Sequence, residues 1–120
     1  MIGFARSRSE ALVVPFVRDD GTSYWPTESD ELTARHFCNS LLSSRIRKVT
    51  QNGLYDIQYM LDEGFELRGF DEDTMLLHHS LYPEMLKGLG FLGSIYSSEP
   101  AWKLMRGKNV NDTEEFKRDE

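Results

Sequence analysis

Three side chains that could take part in chemistry lie close together in the chain: Asn52, Tyr55 and Asp56. Before them, the β-branched character of residues 46–50 predicts a short strand. After them, apolar residues recur at helical spacing, at Leu54, Ile57, Met60 and Leu61. This pattern predicts a helix that stops at Gly64. The three side chains are therefore expected where a strand gives way to a helix.

The position of Asp56 suits a metal ligand, because its carboxylate would lie one turn into the helix, close to the positive end of the helix dipole. Carboxylate oxygens are also the ligands that hard divalent cations prefer. The same position suits an aspartate that only stabilises the helix, and spacing alone does not separate the two interpretations. Asn52 is expected at the N-cap, where its side chain would accept a backbone hydrogen bond.

The pattern Asn52-x-x-Tyr55-Asp56 resembles the second exonuclease motif of the proofreading domain in family A DNA polymerases. Residues 70–79 resemble the segment that follows this motif, in which Asp-Thr-Met-Leu stands at residues 73–76. Residues 81–103 continue the pattern as phage-type polymerases carry it. The resemblance runs in order from about residue 2 to residue 102 and so covers most of the chain.

This resemblance implies an α/β ribonuclease H-like fold and 3′–5′ exonuclease chemistry, in which Mg²⁺ or Mn²⁺ ions assist hydrolysis at the 3′ end of single-stranded DNA. It makes Asp56 the catalytic metal ligand. It makes Asn52 and Tyr55 substrate-binding residues, with Asn52 positioning the strand and Tyr55 stacking on the terminal base. A half-buried tyrosine is the alternative for Tyr55, and a helix cap is the simpler role for Asp73.

Two of the three carboxylate motifs of that family are absent from the chain. Its Asp-x-Glu strand would lie before Met1, because residues 2–17 match the second and third strands of such a domain. Its late Tyr-x-x-x-Asp is missing, since Lys108 and Glu115 stand four positions before Asp112 and Asp119. We therefore expect one partial domain over residues 1–120, lacking the first strand and the last helix. Because one carboxylate cannot hold two cations, the chain alone should be inactive or nearly so.

Two other functions stay open. The chain could be a non-catalytic remnant of the scaffold that binds nucleic acid or a protein. It could instead be one half of a split nuclease whose remaining carboxylates belong to another exonuclease or polymerase polypeptide. Without the first strand, the hairpin and the strand at 46–50 would each expose an edge. We therefore expect aggregation, partial folding or pairing with a partner.

The N-terminal part of the chain predicts a hairpin within residues 1–26, with strands at 2–5 and 11–17. The second strand is continuously apolar, which predicts burial on both faces, and Pro15 places it at an edge or bulge. Residues 27–108 form the predicted body of strands and helices. Its first helix has a capping box at Thr27 and Asp30, ends near residues 43–44, and has an expected inner face of Leu32, His36 or Phe37, and Leu41.

Further elements are predicted along the rest of the body. A short strand is expected at 65–67, and Asp73 is expected to cap a helix that packs through Met75, Leu76 and His79 and ends at Tyr82-Pro83. Another helix is expected at 88–96, and a polar helical tail capped by Thr113 at 109–120. Adjacent His78 and His79 point about 100° apart in a helix, so they cannot readily share one metal ion.

Composition and charge set the class of protein. The net charge of −6 argues against binding nucleic acid through bulk electrostatics. The single cysteine, Cys38, is a predicted core thiol and suits a reducing compartment. There is no signal peptide or apolar run of membrane-spanning length, so we predict a cytoplasmic protein that binds no membrane, in the bacterial host if phage-encoded. Several other side chains could contact nucleic acid, although loop anchors or solvated surface are simpler roles for them: Tyr24, Trp25, Lys87, Trp102 and Lys103.

Overall fold

The computed structural model describes residues 1–100, which form a mixed α/β fold with four helices and two small sheets. The chain divides into two compact units, the first spanning Met1–Asp73 and the second beginning at Thr74. The first unit contains β1 (Ile2–Ala5), β2 (Ala11–Val14), α1 (Glu28–Leu42), β3 (Lys48–Thr50), α2 (Gly53–Asp62) and β4 (Phe70–Asp73). The second contains α3 (Thr74–Leu81) and α4 (Leu89–Tyr96). The α/β class is thus as predicted from the sequence.

The predicted hairpin is confirmed, with β1 and β2 antiparallel and Ile2 opposite Val14. The expectation that the second strand is buried on both faces is wrong. In β2 only Val14 is buried, whereas Leu12 and Val13 are exposed, because the hairpin contacts the core through Val14 and through Ile2 and Phe4 of β1. The strand also ends before Pro15, which has no N–H to continue a ladder.

Helix α1 begins as its sequence predicts. The Thr27 hydroxyl accepts from the Asp30 backbone N–H (3.1 Å) and donates to the Asp30 carboxylate (2.7 Å). The helix ends at Leu42, next to the predicted residues 43–44. Its predicted inner face is wrong: Leu32, His36 and Phe37 are exposed, and the buried residues are Ala34, Cys38 and Leu42. These three repeat every fourth position, so they share one side of the helix.

The core of the first unit is built around α1. Cys38 is fully buried, which confirms the predicted core thiol, and burial raises the pKa of that thiol. Four further buried residues complete the cluster: Val14, Ala34, Leu42 and Phe65. Trp25 packs against it, and its indole Nε1 donates to the Pro15 carbonyl oxygen (2.8 Å). Trp25 is therefore a loop anchor.

The second sheet pairs β3 with β4 in parallel, with Thr50 opposite Asp73. The strand predicted at 65–67 is wrong, because this segment is tied to α1 instead. The Glu66 N–H donates to the Asn39 side-chain oxygen and the Arg68 N–H donates to the Leu42 carbonyl, both at 2.9 Å. The strand begins only at Phe70.

In the second unit, α3 ends just before Tyr82 and α4 spans nearly the predicted residues. The buried histidine is His78, not the predicted His79, which is exposed. A 2.9 Å hydrogen bond joins His78 Nδ1 to the Tyr96 hydroxyl, so His78 faces α4 and its neighbour points away. Trp102, Lys103 and the predicted helical tail with Thr113 lie outside the described residues.

Candidate functional site

The start of α2 has an unusual backbone at Asn52. This residue occupies the predicted N-cap position, but its φ of 55° and ψ of 47° place it in the left-handed region. It is the one non-glycine residue with positive φ among residues 1–100. Its side chain makes no capping hydrogen bond, so the predicted capping role is wrong. A side-chain cap normally requires an extended N-cap backbone, which Asn52 does not have.

The cap comes instead from Asp73, at the end of β4. Its carboxylate accepts from the Asn52 N–H (3.0 Å) and from the Gly53 N–H (2.6 Å). These bonds satisfy backbone donors that the helix itself leaves free. The sequence predicted Asp73 as a cap of the helix that follows it. Its contact with α2 depends on the β3–β4 pairing that places Asp73 opposite Thr50, which local sequence does not reveal.

Gly53 brings the helix start against β3. The residue is buried, and a Cβ placed on it would stand 2.7 Å from the Thr50 Cβ, closer than real Cβ contacts. Any side chain at this position would therefore push α2 away from the strand. Together, Gly53 and Asp73 fix the backbone from which the candidate site residues project.

Tyr55 and Asp56 line one cleft of about 1270 Å³ in the first unit, and Tyr59 lines it with them. Asn52 is exposed at the head of the helix and is not part of the lining. Tyr55 is 59% exposed, so it is not the half-buried tyrosine of the alternative interpretation. The structure thus brings two of the three predicted residues into the same cleft.

Tyr59 belongs to the site and was missed by the sequence analysis. Its ring lies 4.9 Å from the Tyr55 ring between centroids, and the Tyr55 hydroxyl donates to the Tyr59 hydroxyl at 3.4 Å. This hydrogen bond is the main cause that raises the pKa of Tyr55, and the charge of Asp56 adds a smaller effect. The i, i+4 spacing of the two tyrosines was the available signal, because such residues are neighbours on a helix.

The carboxylates described do not fit a two-metal centre. No group of three or more His, Cys, Asp or Glu side chains within residues 1–100 could hold a metal ion. Asp56 therefore offers one carboxylate, whereas two closely spaced cations need several. A metal at Asp56 would require ligands beyond those that this part of the chain supplies.

The basic side chains of the cleft are already engaged. Lys48 donates to the carbonyl oxygens of Ser44, Ile46 and Arg68 at 2.8–2.9 Å. The cleft also contains Arg6, Arg35 and Arg47, and these form ion pairs with Glu10, with Glu31 and Glu63, and with Asp71 and Glu72. Binding of a phosphate backbone by these cations would first have to break those pairs.

No family model, curated protein or solved structure matches the chain, so the resemblance to proofreading exonucleases rests on the sequence motifs alone. None of the helices found within residues 1–100 has the length and apolar character needed to cross a bilayer. The cytoplasmic location stays a prediction.

Proposed function

We propose that this chain is a segment of a 3′–5′ proofreading exonuclease domain with a ribonuclease H-like fold. In this proposal Asp56 supplies one metal-binding carboxylate, and Asn52 and Tyr55 hold the 3′ end of a single strand. The observation that carries the proposal is that Tyr55 and Asp56, from one motif, line the same cleft beside a helix start held by Asp73. The order of Asn52, Tyr55, Asp56 and Asp73 in the sequence supports it.

The two tyrosines would supply most of the affinity for the DNA strand. Tyr55 and Tyr59 are both 59% exposed, and a flat ring stacks on any base for about 1–3 kcal/mol without sequence preference. This suits a chain of net charge −6 whose cleft cations are paired, because stacking needs no excess positive charge.

Asp56 would attract the cation. It lies in the first turn of α2, where the helix dipole favours a negative charge. The chemistry that Mg²⁺ or Mn²⁺ would supply, in a site completed by further carboxylates, is activation of water and stabilisation of the leaving oxygen. Because the other carboxylates must come from elsewhere, we expect the chain by itself to bind a 3′ end and not to cleave it.

The test is fluorescence anisotropy of a short oligothymidine, labelled at its 5′ end, titrated with the chain with and without Mn²⁺. Because the DNA supplies phosphate oxygens as further ligands, we expect Mn²⁺ to tighten binding and Asp56→Asn to remove that effect. Asp62→Asn, at the far end of the same helix, should keep it. We expect Tyr55→Ala to weaken binding about tenfold, the value of one lost stacking contact. Tyr82→Ala, at an exposed tyrosine outside the lining of the cleft, is the matched control.

The proposal is contradicted if Asp56→Asn and Asp62→Asn have the same effect on Mn²⁺-dependent binding, or if the chain binds no DNA. Binding that is independent of the metal would favour the second candidate, a non-catalytic nucleic-acid-binding scaffold. The single carboxylate of the described site is the observation that favours this alternative. Cleavage of a 3′-labelled strand by the chain alone, lost in Asp56→Ala, would overturn the expected inactivity.

A further inference from the structure

The basic side chains that line the cleft within residues 1–100 differ in how they are held. Lys48 donates to three carbonyl oxygens, which are fixed parts of the backbone. The side chains of Arg6 and Arg47 are mostly exposed. The Arg35 side chain is only 34% exposed, and its partners are side chains that can move. Arg35 is therefore the cation of the cleft whose partners can be exchanged while the cation itself stays in place.

Two aromatic rings hold the Arg35 guanidinium. Its Cζ lies 5.3 Å from the centroid of the Phe16 ring and 5.9 Å from that of the Phe65 ring. A guanidinium within about 6 Å of a ring face is attracted to the ring. Phe65 is a buried core residue, and Phe16 packs against the core. The rings therefore keep the guanidinium in position independently of its carboxylate partners.

The closest carboxylate partner of Arg35 is easily displaced. The Arg35 Nη2 donates to a Glu63 carboxylate oxygen at 3.0 Å, and its Nε lies 3.5 Å from a Glu31 carboxylate oxygen. The Glu63 side chain is 59% exposed, and exposed ion pairs contribute little to stability. Glu63 is also the C-cap residue of α2, where the helix dipole disfavours a negative charge. Moving the Glu63 carboxylate into water therefore costs little.

Glu63 connects Arg35 with the candidate site. Tyr55, Tyr59 and Glu63 follow at intervals of four residues, so they form one row along α2, and all three line the cleft. From Asp56 to Glu63 the helix rises about 10 Å. A stacked strand advances about 3.4 Å per nucleotide. A strand with its 3′ end at Asp56 would therefore bring a phosphate to Glu63 about three nucleotides from that end.

We propose that Arg35 binds a phosphodiester group of the single strand, about three nucleotides from its 3′ end, in exchange for the Glu63 carboxylate. The guanidinium fork binds two phosphate oxygens as it binds a carboxylate. Glu63 occupies the phosphate site until the strand arrives. This role of Arg35 rests on the proposed function and adds a strand-binding residue from α1, outside the motif of Asn52, Tyr55 and Asp56.

The first test measures how binding depends on salt. A 5′-labelled octathymidine is titrated with the full chain, without metal, at several NaCl concentrations, and fluorescence anisotropy is measured. For a single strand, each phosphate contact adds about 0.7 to the slope of log K against log salt. We expect Arg35→Gln to lower the magnitude of the slope by about that amount. Arg68→Gln is the matched control and should leave the slope unchanged, because Arg68 also pairs with a glutamate but does not line the cleft.

A second pair of variants tests the exchange itself. Glu63→Gln removes the competing carboxylate, so we expect octathymidine to bind at least about threefold more tightly. This gain should disappear when Arg35→Gln is added. Glu66→Gln removes a carboxylate that pairs with Arg68 outside the cleft, and it should tighten binding by less than about 1.5-fold. In each variant, a Cys38 thiol that stays unreactive towards thiol reagents shows that the core is intact.

An NMR experiment distinguishes the strand from free phosphate as the source of the bound group. The Nε–Hε signal of Arg35 is followed while octathymidine or inorganic phosphate is added, without metal. We expect octathymidine to shift the signal in the concentration range in which it binds. Inorganic phosphate should require concentrations about a hundredfold higher, because it cannot stack on the two tyrosines.

Three results would overturn this role of Arg35: an unchanged salt slope in Arg35→Gln, equal effects of Glu63→Gln and Glu66→Gln, or an Arg35 signal that shifts with inorganic phosphate and not with octathymidine. Each would leave the exonuclease proposal standing, since that proposal is tested by the Mn²⁺ effect at Asp56. If Asp56→Asn keeps the Mn²⁺ effect while Glu63→Gln still tightens binding, the exonuclease proposal fails and the Arg35 site stands.

Discussion

The two helices of the first unit, α1 and α2, are held in place in opposite ways. Helix α1 carries its own capping box at Thr27 and buries one side in the core. Helix α2 buries only Gly53, and its start is capped by Asp73, which lies 21 residues after Asn52. Its apolar and aromatic side chains are largely exposed, among them Leu54, Tyr55, Tyr59 and Leu61. Helix α1 therefore forms the core, whereas α2 leaves most of its large side chains exposed.

The largest expected effect is on stability, and it is measured by removing one leucine side chain from each helix. Leu42→Ala in α1 should lower the free energy of unfolding by about 2–5 kcal/mol, because it leaves a cavity at a buried site. Leu61→Ala in α2 should lower it by less than about 0.5 kcal/mol, since that side chain is 55% exposed. Urea unfolding of the two variants gives both values. Equal losses would mean that α2 packs as α1 does.

A smaller effect is expected at the cap that comes from β4. Asp73→Ala should lower the free energy of unfolding by about 1–2 kcal/mol, because the Asn52 and Gly53 N–H groups lose their acceptor. Asp71→Ala, an exposed aspartate of the same strand, is the control and should cost about 0.5 kcal/mol or less. A negligible loss at Asp73 would show that α2 holds its start without β4.

The smallest expected effect concerns proton binding at Tyr55. The hydrogen bond to Tyr59 raises the pKa of Tyr55, so the folded state holds this proton more tightly than the unfolded state does. The resulting stabilisation is present below the unfolded pKa of about 10 and is lost as pH rises through the folded pKa. Tyr59→Phe should move the pKa of Tyr55 down. An NMR titration of the tyrosine ring carbons measures this pKa, and an unchanged value would contradict the hydrogen bond between Tyr55 and Tyr59.

Sequence reasoning succeeded where the signal is local. The capping box at Thr27, the stop at Gly64 and the helix that ends before Tyr82 depend on neighbouring residues, and each is present. Gly64 ends α2 because its φ of 85° suits glycine. The inner face of α1 could not be predicted in this way. Large side chains such as Leu32 and Phe37 look like core residues, but in the structure Ala34 and Cys38 belong to the buried core instead.

In the candidate site, too, the features that depend on local sequence were predicted and those that depend on long-range pairing were not. Tyr55 and Asp56 were located by their motif, and the helix that carries them was predicted. The roles of Asp73 at α2 and of Gly53 against Thr50 depend on the parallel pairing of β3 with β4. No local pattern encodes that pairing, so the sequence suggested an Asn52 side-chain cap that the left-handed backbone does not allow.

In the proposed function, the start of α2 is fixed by Asp73 and Gly53, and Asn52, Tyr55 and Asp56 use their side chains to bind a DNA strand. Asn52→Gly tests this directly, because glycine adopts the left-handed backbone without penalty while the side chain is removed. The measurement is Mn²⁺-dependent binding of the labelled oligothymidine, paired with urea unfolding. We expect unfolding to change by less than about 0.5 kcal/mol and binding to weaken about tenfold. Unchanged binding in a stable Asn52→Gly variant would contradict the proposed binding role of the Asn52 side chain.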